Sequence, residues 1–187
     1  MKPSVLVIDM VKDTLQGERE FPITPHAKAI VPRINQLTAW ARGNDYPVIF
    51  ACDSFLKNDF IFQGKMKPHS LRGTQGAEVT DLLEQKDSDV FLPKRRFSAF
   101  FKTDLDQTLR AWKVDCVLVC GIATHICVLT TVLDAVANDF RAVMVEDATA
   151  SYSAEVHEKT LDLYRRNLLF PLLQVQSFSE LRQKFGG

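Results

Sequence analysis

The sequence predicts a three-layer α/β/α fold, a single domain built on a doubly wound, mostly parallel, six-stranded sheet. Three observations predict it. Short apolar, β-branched runs alternate with longer amphipathic stretches along the whole chain, the pattern of successive βαβ units. One run, DCVLVCG (115–121), is apolar throughout after its first residue, as parallel strands covered on both faces are. No internal repeat, low-complexity segment or linker divides the 187 residues, a length suited to one domain.

VLVID (Val5–Asp9) reads as the first strand. From Ala27 to Arg42, Ile30, Val31, Ile34, Leu37, Trp40 and Ala41 recur at helical spacing. Pro32 inside that pattern marks a helix start or a kink. PVIFACD (Pro47–Asp53) is the second strand. Ser54–Gly76 has no clean period and carries Gly64, Pro68, Gly73 and Gly76, which predicts a long loop of the kind found over functional sites. A short helix is expected around Ala77–Gln85. VFLPK (Val90–Lys94) is strand three, weakened at its end by Pro93. Asp104–Trp112 is a helix capped by Asp104 or Thr103. Strand four (Asp115–Gly121) leads into a helix over His125–Asn138 with Thr124 as its cap. RAVMVED (Arg141–Asp147) is strand five. Ala154–Arg166 is a helix, with His157, Thr160, Leu161 and Tyr164 on one stripe. LLQVQS (Leu172–Ser177) is strand six, and Phe178–Phe185 closes the chain as a helix.

Composition narrows the function classes. Lys plus Arg and Asp plus Glu each number 23, so the formal net charge is zero. No charge excess favours nucleic acid or an anionic membrane, and the expected partner is a small-molecule substrate. The start, MKPSVLVIDMVKD, has one basic residue, Lys2, ahead of a short apolar run that is broken by Asp9. It reads as neither signal peptide nor membrane span, so a cytoplasmic protein with reduced thiols is expected. Cys52, Cys116, Cys120 and Cys127 have no CxxC spacing, against a disulfide framework.

Ligands of doubly wound sheets bind at the carboxyl ends of the strands. Asp9 ends strand one, Asp53 strand two, Lys94 strand three and Asp147 strand five, and Cys127 follows strand four. In GIATHICVLTTVLDA (Gly121–Ala135), Cys127 falls in the first turn of a helix. Free N–H groups and the helix dipole there stabilise a thiolate and an oxyanion. The bland alternative is an inert core thiol. Asp9 at the end of an apolar strand is costly to bury unpaired; its alternative is a helix N-cap. Lys94 beside Arg95 and Arg96 reads equally as a solvated charge. Among the histidines, His125 is two residues from Cys127 and cannot face it on a helix, and His157 sits on an apolar stripe. A carboxylate is therefore the better base.

Four segments in order resemble the isochorismatase-like family of nicotinamidases, N-carbamoylsarcosine amidases, ureide hydrolases and isochorismatases. They are V-L-V-I-D-M (Val5–Met10), P-K-R-R-F-S-A-F (Pro93–Phe100) followed by T-D-L (Thr103–Leu105), G-I-A-T-H-I-C-V (Gly121–Val128) and V-M-V-E-D-A (Val143–Ala148). The likeness spans roughly Val5 to Val175. It implies a triad of Cys127, Asp9 and Lys94 that cuts an amide or ureide C–N bond through a thioester. It implies a cis peptide before Ala123, with the N–H groups of Ala123 and Cys127 as an oxyanion hole. Leu15, Asp53, Phe97 and Thr124 are the substrate-contact candidates. Nicotinamidases of the family bind a metal through an Asp-x-His pair and a later His. Here Asp53 and His69 match, but the middle position is Phe55. No metal and no cofactor are expected, with Asp53 and His69 the only candidate ligands from the motif and Asp59 a possible substitute. Two other functions stay open: an isochorismatase-type vinyl-ether hydrolase, whose members often lack the cysteine, and a redox thiol protein that would need neither Asp9 nor Lys94. A homo-oligomer is also expected, from the family and from Phe60, Ile61, Phe62 and Met66 in the loop.

Overall fold

The computed structural model describes residues 1–186. The β-branched runs form β1 (Pro3–Ile8), β2 (Val48–Asp53), β3 (Val90–Lys94), β4 (Cys116–Ile122), β5 (Arg141–Ala150) and β6 (Leu173–Gln176). They make one sheet in the order β3-β2-β1-β4-β5-β6, and every neighbouring pair is parallel. The helices are α1 (Lys12–Leu15), α2 (Thr24–Gly43), α3 (Leu105–Ala111), α4 (Leu129–Ala137), α5 (Ala154–Arg165) and α6 (Phe178–Phe185).

Side-chain alternation along the strands builds a core on each face of the sheet. In β1, Val5 and Val7 pack with Ile34 and Leu37 of α2 and Leu181 of α6. Leu6 and Ile8 point the other way, onto Leu109 of α3, Val132 of α4 and Leu161 of α5. The chain builds outward from β1 to β3, then crosses back to continue at β4. The order thus reverses between β1 and β4, which opens a crevice at their carboxyl ends. Asp9 and Ala123 follow those two ends directly.

Several expectations are corrected. Helix α2 starts at Thr24, with Pro25 in its first turn, and continues straight through Pro32. Pro32 and Lys28, whose carbonyl loses its N–H partner, both lie on exposed positions, where water replaces the missing bond. No helix forms over Ala77–Gln85; a 3-10 turn covers Gln75–Ala77 instead. Val79 bridges to Val11, Lys12 N donates to the Glu78 carbonyl and Thr80 N to the Met10 carbonyl. Backbone pairing with the chain after β1 thus takes the place of the expected helix. Strand β5 runs on to Ala150, past a register shift between Val119 and Gly121 of β4. Asp147 is therefore inside the strand. It accepts from Phe178 N at 2.9 Å and pairs with Arg33 at 3.0 Å, a structural role away from the crevice. The helix expected over His125–Asn138 is a π-helical turn (Thr124–Val128) followed by α4. Among the described residues, no helix is long and apolar enough to cross a membrane.

Candidate active site

Three adjacent strands deliver the charged groups. Asp53 and Lys94 are register partners at the ends of β2 and β3, and β2 lies beside β1. Asp9 turns out of β1 with φ 52°, the left-handed region that Asp tolerates better than most residues. Asp9 Oδ1 accepts from Asp53 N at 2.8 Å. Lys94 Nζ donates to Asp9 Oδ2 at 2.8 Å, Asp53 Oδ1 at 2.6 Å and the Arg96 carbonyl at 3.2 Å. The Lys94 side chain is fully buried, so all three ammonium donors are matched by acceptors, as a buried charge requires. Lys94 is no solvated charge, and Asp9 is no helix cap, since the residue capping α1 is Val11.

The fourth group comes from the turn after β4. Gly121 has φ +99°, and a Cβ there would collide with the Ile8 carbonyl oxygen. Only glycine lets the ends of β1 and β4 approach this closely. The Ile122–Ala123 peptide is cis, as the family resemblance implies. Cys127 follows in the π-helical turn, buried, with its sulfur and a carboxylate oxygen from each of Asp9 and Asp53 all within 4.8 Å of one another. Thr131 ties this turn to the loop after Lys94. Its hydroxyl donates to the Cys127 carbonyl at 2.7 Å and accepts from Ala99 N at 3.1 Å. That contact gives the S-A-F segment its structural purpose, which sequence alone did not reveal.

Burial and charge set the protonation states. The Asp9 carboxyl is pushed up to about 7, first by burial and then by the Asp53 carboxylate, with Lys94 opposing. Burial works against the Lys94 charge, but Asp9, Cys127 and Asp53 around it hold its pKa well above the usual lysine range. Burial pushes the Cys127 thiol well above the usual range; Lys94 opposes this, and the negative charge of Asp9 and Asp53 adds to it. The Cys127 sulfur therefore rests as a neutral thiol, not the thiolate expected from a helix dipole. A buried sulfur close to two carboxylates outweighs the dipole.

Asp9, Asp53 and Cys127 line the inner part of a cavity of about 340 Å³, together with Ala123, Phe97 and His69. A larger groove of about 530 Å³ lies against β2 and β3 and holds Cys52. It gathers none of Asp9, Lys94 and Cys127 and is not the reactive site. Two substrate-contact candidates are corrected. Leu15 is buried in the core rather than in the cavity; Thr14, Phe21 and Ile23 line that side instead. Thr124 is fully buried, neither caps a helix nor lines the cavity, and its hydroxyl lies 2.9 Å from His157 Nδ1. His125 Nδ1 lies 2.9 Å from Ser151 Oγ, away from Cys127. The loop residues Arg19, Lys65 and Lys67 also line the cavity and were not singled out in the sequence.

The metal ligands seen in some family members do not assemble from these residues. Asp53 is committed to Lys94. Phe55 has no donor atom and packs edge-on against His69, centroids 5.5 Å apart. His69 Nδ1 donates to the Lys67 carbonyl at 2.9 Å. Asp59 accepts from Arg95 at 2.6 Å and Arg96 at 3.3 Å, and the Arg95 hydrogen bonds hold its carboxyl well below the usual range. Of the cluster of Asp9, Asp53 and Cys127, both carboxylates are already bridged by the Lys94 ammonium.

Fold and site together define an α/β enzyme domain with a lysine-bridged carboxylate pair and a buried thiol at the switch point of its sheet. Residues 3–176 match the isochorismatase domain family, and the chain belongs to that family. It is similar to an isochorismatase-like hydrolase from Alkaliphilus metalliredigens, with 30% identity, full coverage of both chains and a TM-score of 0.87. It is also similar to N-carbamoylsarcosine amidase from Thermoplasma acidophilum, with 30% identity over 95% of this chain and 96% of the other, and a TM-score of 0.81. A probable inactive nicotinamidase of Arabidopsis thaliana is 32% identical over 82% of this chain and 83% of that protein.

Proposed function

We propose that the protein is a cysteine-dependent hydrolase of a small amide, carbamoyl or ureide C–N bond. The observation that carries this reading is the Lys94 ammonium bridging Asp9 and Asp53 beside the Cys127 thiol. Asp9, poised near neutral pH, takes the thiol proton as sulfur attacks the carbonyl. The oxyanion of the tetrahedral adduct rests on the N–H groups of Ala123 and Cys127. Asp9 passes its proton to the departing nitrogen, which leaves as ammonia or an amine. Water then loses a proton to Asp9 and attacks the thioester. The acid departs and the thiol regains its proton. Lys94 keeps Asp9 oriented and offsets charge at each stage. Asp53 holds Lys94, and Phe97 lies against the substrate.

Cys127→Ala tests the reading. Turnover should vanish with the fold intact by circular dichroism, and a slow substrate should leave an acyl mass on Cys127 of the native enzyme. Full activity in Cys127→Ala would sink it.

Assembly as a homo-oligomer belongs to the same proposal. Phe62 and Met66 are engaged inside the protomer, one against Phe55 and one along the cavity, but Phe60 is 74% exposed. Light scattering at micromolar concentration checks it; a monomer mass refutes it.

A further inference from the structure

We infer that the cavity selects substrates carrying a carboxylate at the end remote from the bond cut, and that Arg19, Lys65 and Lys67 select it. This rests on Cys127 being the nucleophile and adds the chemical class of the substrate. The cavity has three zones. Its deep end holds Cys127, Asp9 and Asp53, and Lys94 lies within 2.8 Å of both carboxylates. Its walls are apolar, from Phe21, Ile23, Phe97 and Ile126. Its solvent end carries Arg19, Lys65 and Lys67, all exposed.

Glu18 and Glu20 flank Arg19 in sequence, but neither lines the cavity. Among the described residues, none of the three cations takes part in an ion pair. Among the described residues, the only carboxylates lining the cavity are Asp9 and Asp53, and Lys94 already answers both. Arg19 lies over the Phe21 ring at 4.9 Å, which holds the guanidinium against the wall without neutralising it. The chain as a whole has zero formal charge, so three unpaired cations around one opening are a local feature rather than general basicity. A cleft lined by one sign of charge concentrates ligands of the other. A substrate reaching from Cys127 past the apolar walls places its far end among these cations. A carboxylate is stabilised there; an ammonium is repelled.

The test uses two alkylating agents of nearly equal size, iodoacetate (anionic) and iodoacetamide (neutral). Rates of Cys127 modification are read by peptide mass spectrometry on the folded enzyme. The iodoacetate to iodoacetamide ratio should fall about tenfold in Arg19→Gln/Lys65→Gln/Lys67→Gln, within the range of electrostatic focusing. Added salt should lower it in the native enzyme but not in the variant. An unchanged iodoacetamide rate shows that the reactive end is intact; if it changes, the three single variants are compared in the same way. A ratio indifferent to both substitution and salt overturns the inference and leaves the nucleophile reading standing. A Cys127 that neither reagent modifies overturns the nucleophile reading, and this inference with it.

Discussion

Asp53 Oδ1 lies 2.6 Å from Lys94 Nζ, closer than the Asp9 oxygen at 2.8 Å. The residue that matches a metal ligand of relatives is thus the tighter partner of the buried lysine. Its negative charge is also the second cause, after burial, that lifts Asp9 to about 7. Asp53→Asn keeps an oxygen for Lys94 and removes that charge. Asp9 loses its proton as pH rises through its pKa, and only then can it accept the thiol proton. The iodoacetamide rate of Cys127 should therefore climb at lower pH in Asp53→Asn than in the native enzyme. Coincident pH profiles would show that the two carboxylates do not communicate.

Asp9→Asn leaves an acceptor for the Asp53 N–H but no base. With the acid–base step removed, kcat should fall by about 10²- to 10⁴-fold, with the melting profile measured alongside. A fall of less than tenfold would place the base elsewhere.

Lys94→Ala leaves two carboxylates buried and facing each other. Breaking a buried ion pair from one side costs about 3–5 kcal/mol, and denaturant unfolding at neutral pH should show a loss of that size. The sign of its pH dependence follows. Lys94 is one of the groups that hold the Asp9 pKa down, so without it Asp9 rises further. A group with a raised folded pKa stabilises at pH below its unfolded pKa and loses that stability as pH climbs to the folded value. Lys94→Ala should therefore be closest to the native protein in acid and fall furthest behind in alkali. A constant difference across pH would argue against paired carboxylates.

Much of this site was legible in the sequence because a parallel sheet fixes where strand ends go. Asp9, Asp53, Lys94 and Cys127 each end or follow an apolar run, and the fold brings those ends to one crevice. Asp147 misled because β5 continues to Ala150 beyond an irregular register that no periodicity reveals. Leu15 and Thr124 sit beside the site in sequence but point into the core. Arg19, Lys65 and Lys67 come from segments without a period, where sequence spacing says nothing about direction. In the helix expected over Ala77–Gln85, Val79 instead bridges to Val11 and Leu83 packs into the core.

Gly121 is the backbone position most sensitive to a single carbon. At φ +99°, a methyl group meets the Ile8 carbonyl, and the two strands that flank the crevice must part. Gly121→Ala should lose several kcal/mol, above the roughly 1–3 kcal/mol of a strained φ alone, and lose turnover with it. Thermal unfolding measures the first; a near-native midpoint would mean that β1 and β4 adjust freely.

The last prediction is that the enzyme works without a tightly bound metal. A catalytic zinc ordinarily has three protein ligands and an open position. Asp53 is held by Lys94 at 2.6 Å, Phe55 offers no donor, and Asp59 is held by Arg95 at 2.6 Å. His69 keeps one ring nitrogen free but stands among Phe21, Phe55 and Phe62. Assembling a centre would mean stripping Asp53 from Lys94, which unbalances the buried charges that set Asp9 at about 7. The proposed steps draw their proton transfers from Asp9 and their oxyanion stabilisation from backbone N–H groups, and none needs a Lewis acid. Protein purified without a metal-affinity tag should hold far less than one equivalent of zinc, iron or manganese by elemental analysis. Its Cys127-dependent turnover should be indifferent to a chelator. Stoichiometric metal, with activity lost to the chelator and restored by that ion, would mean that Asp53 leaves Lys94 in the working enzyme.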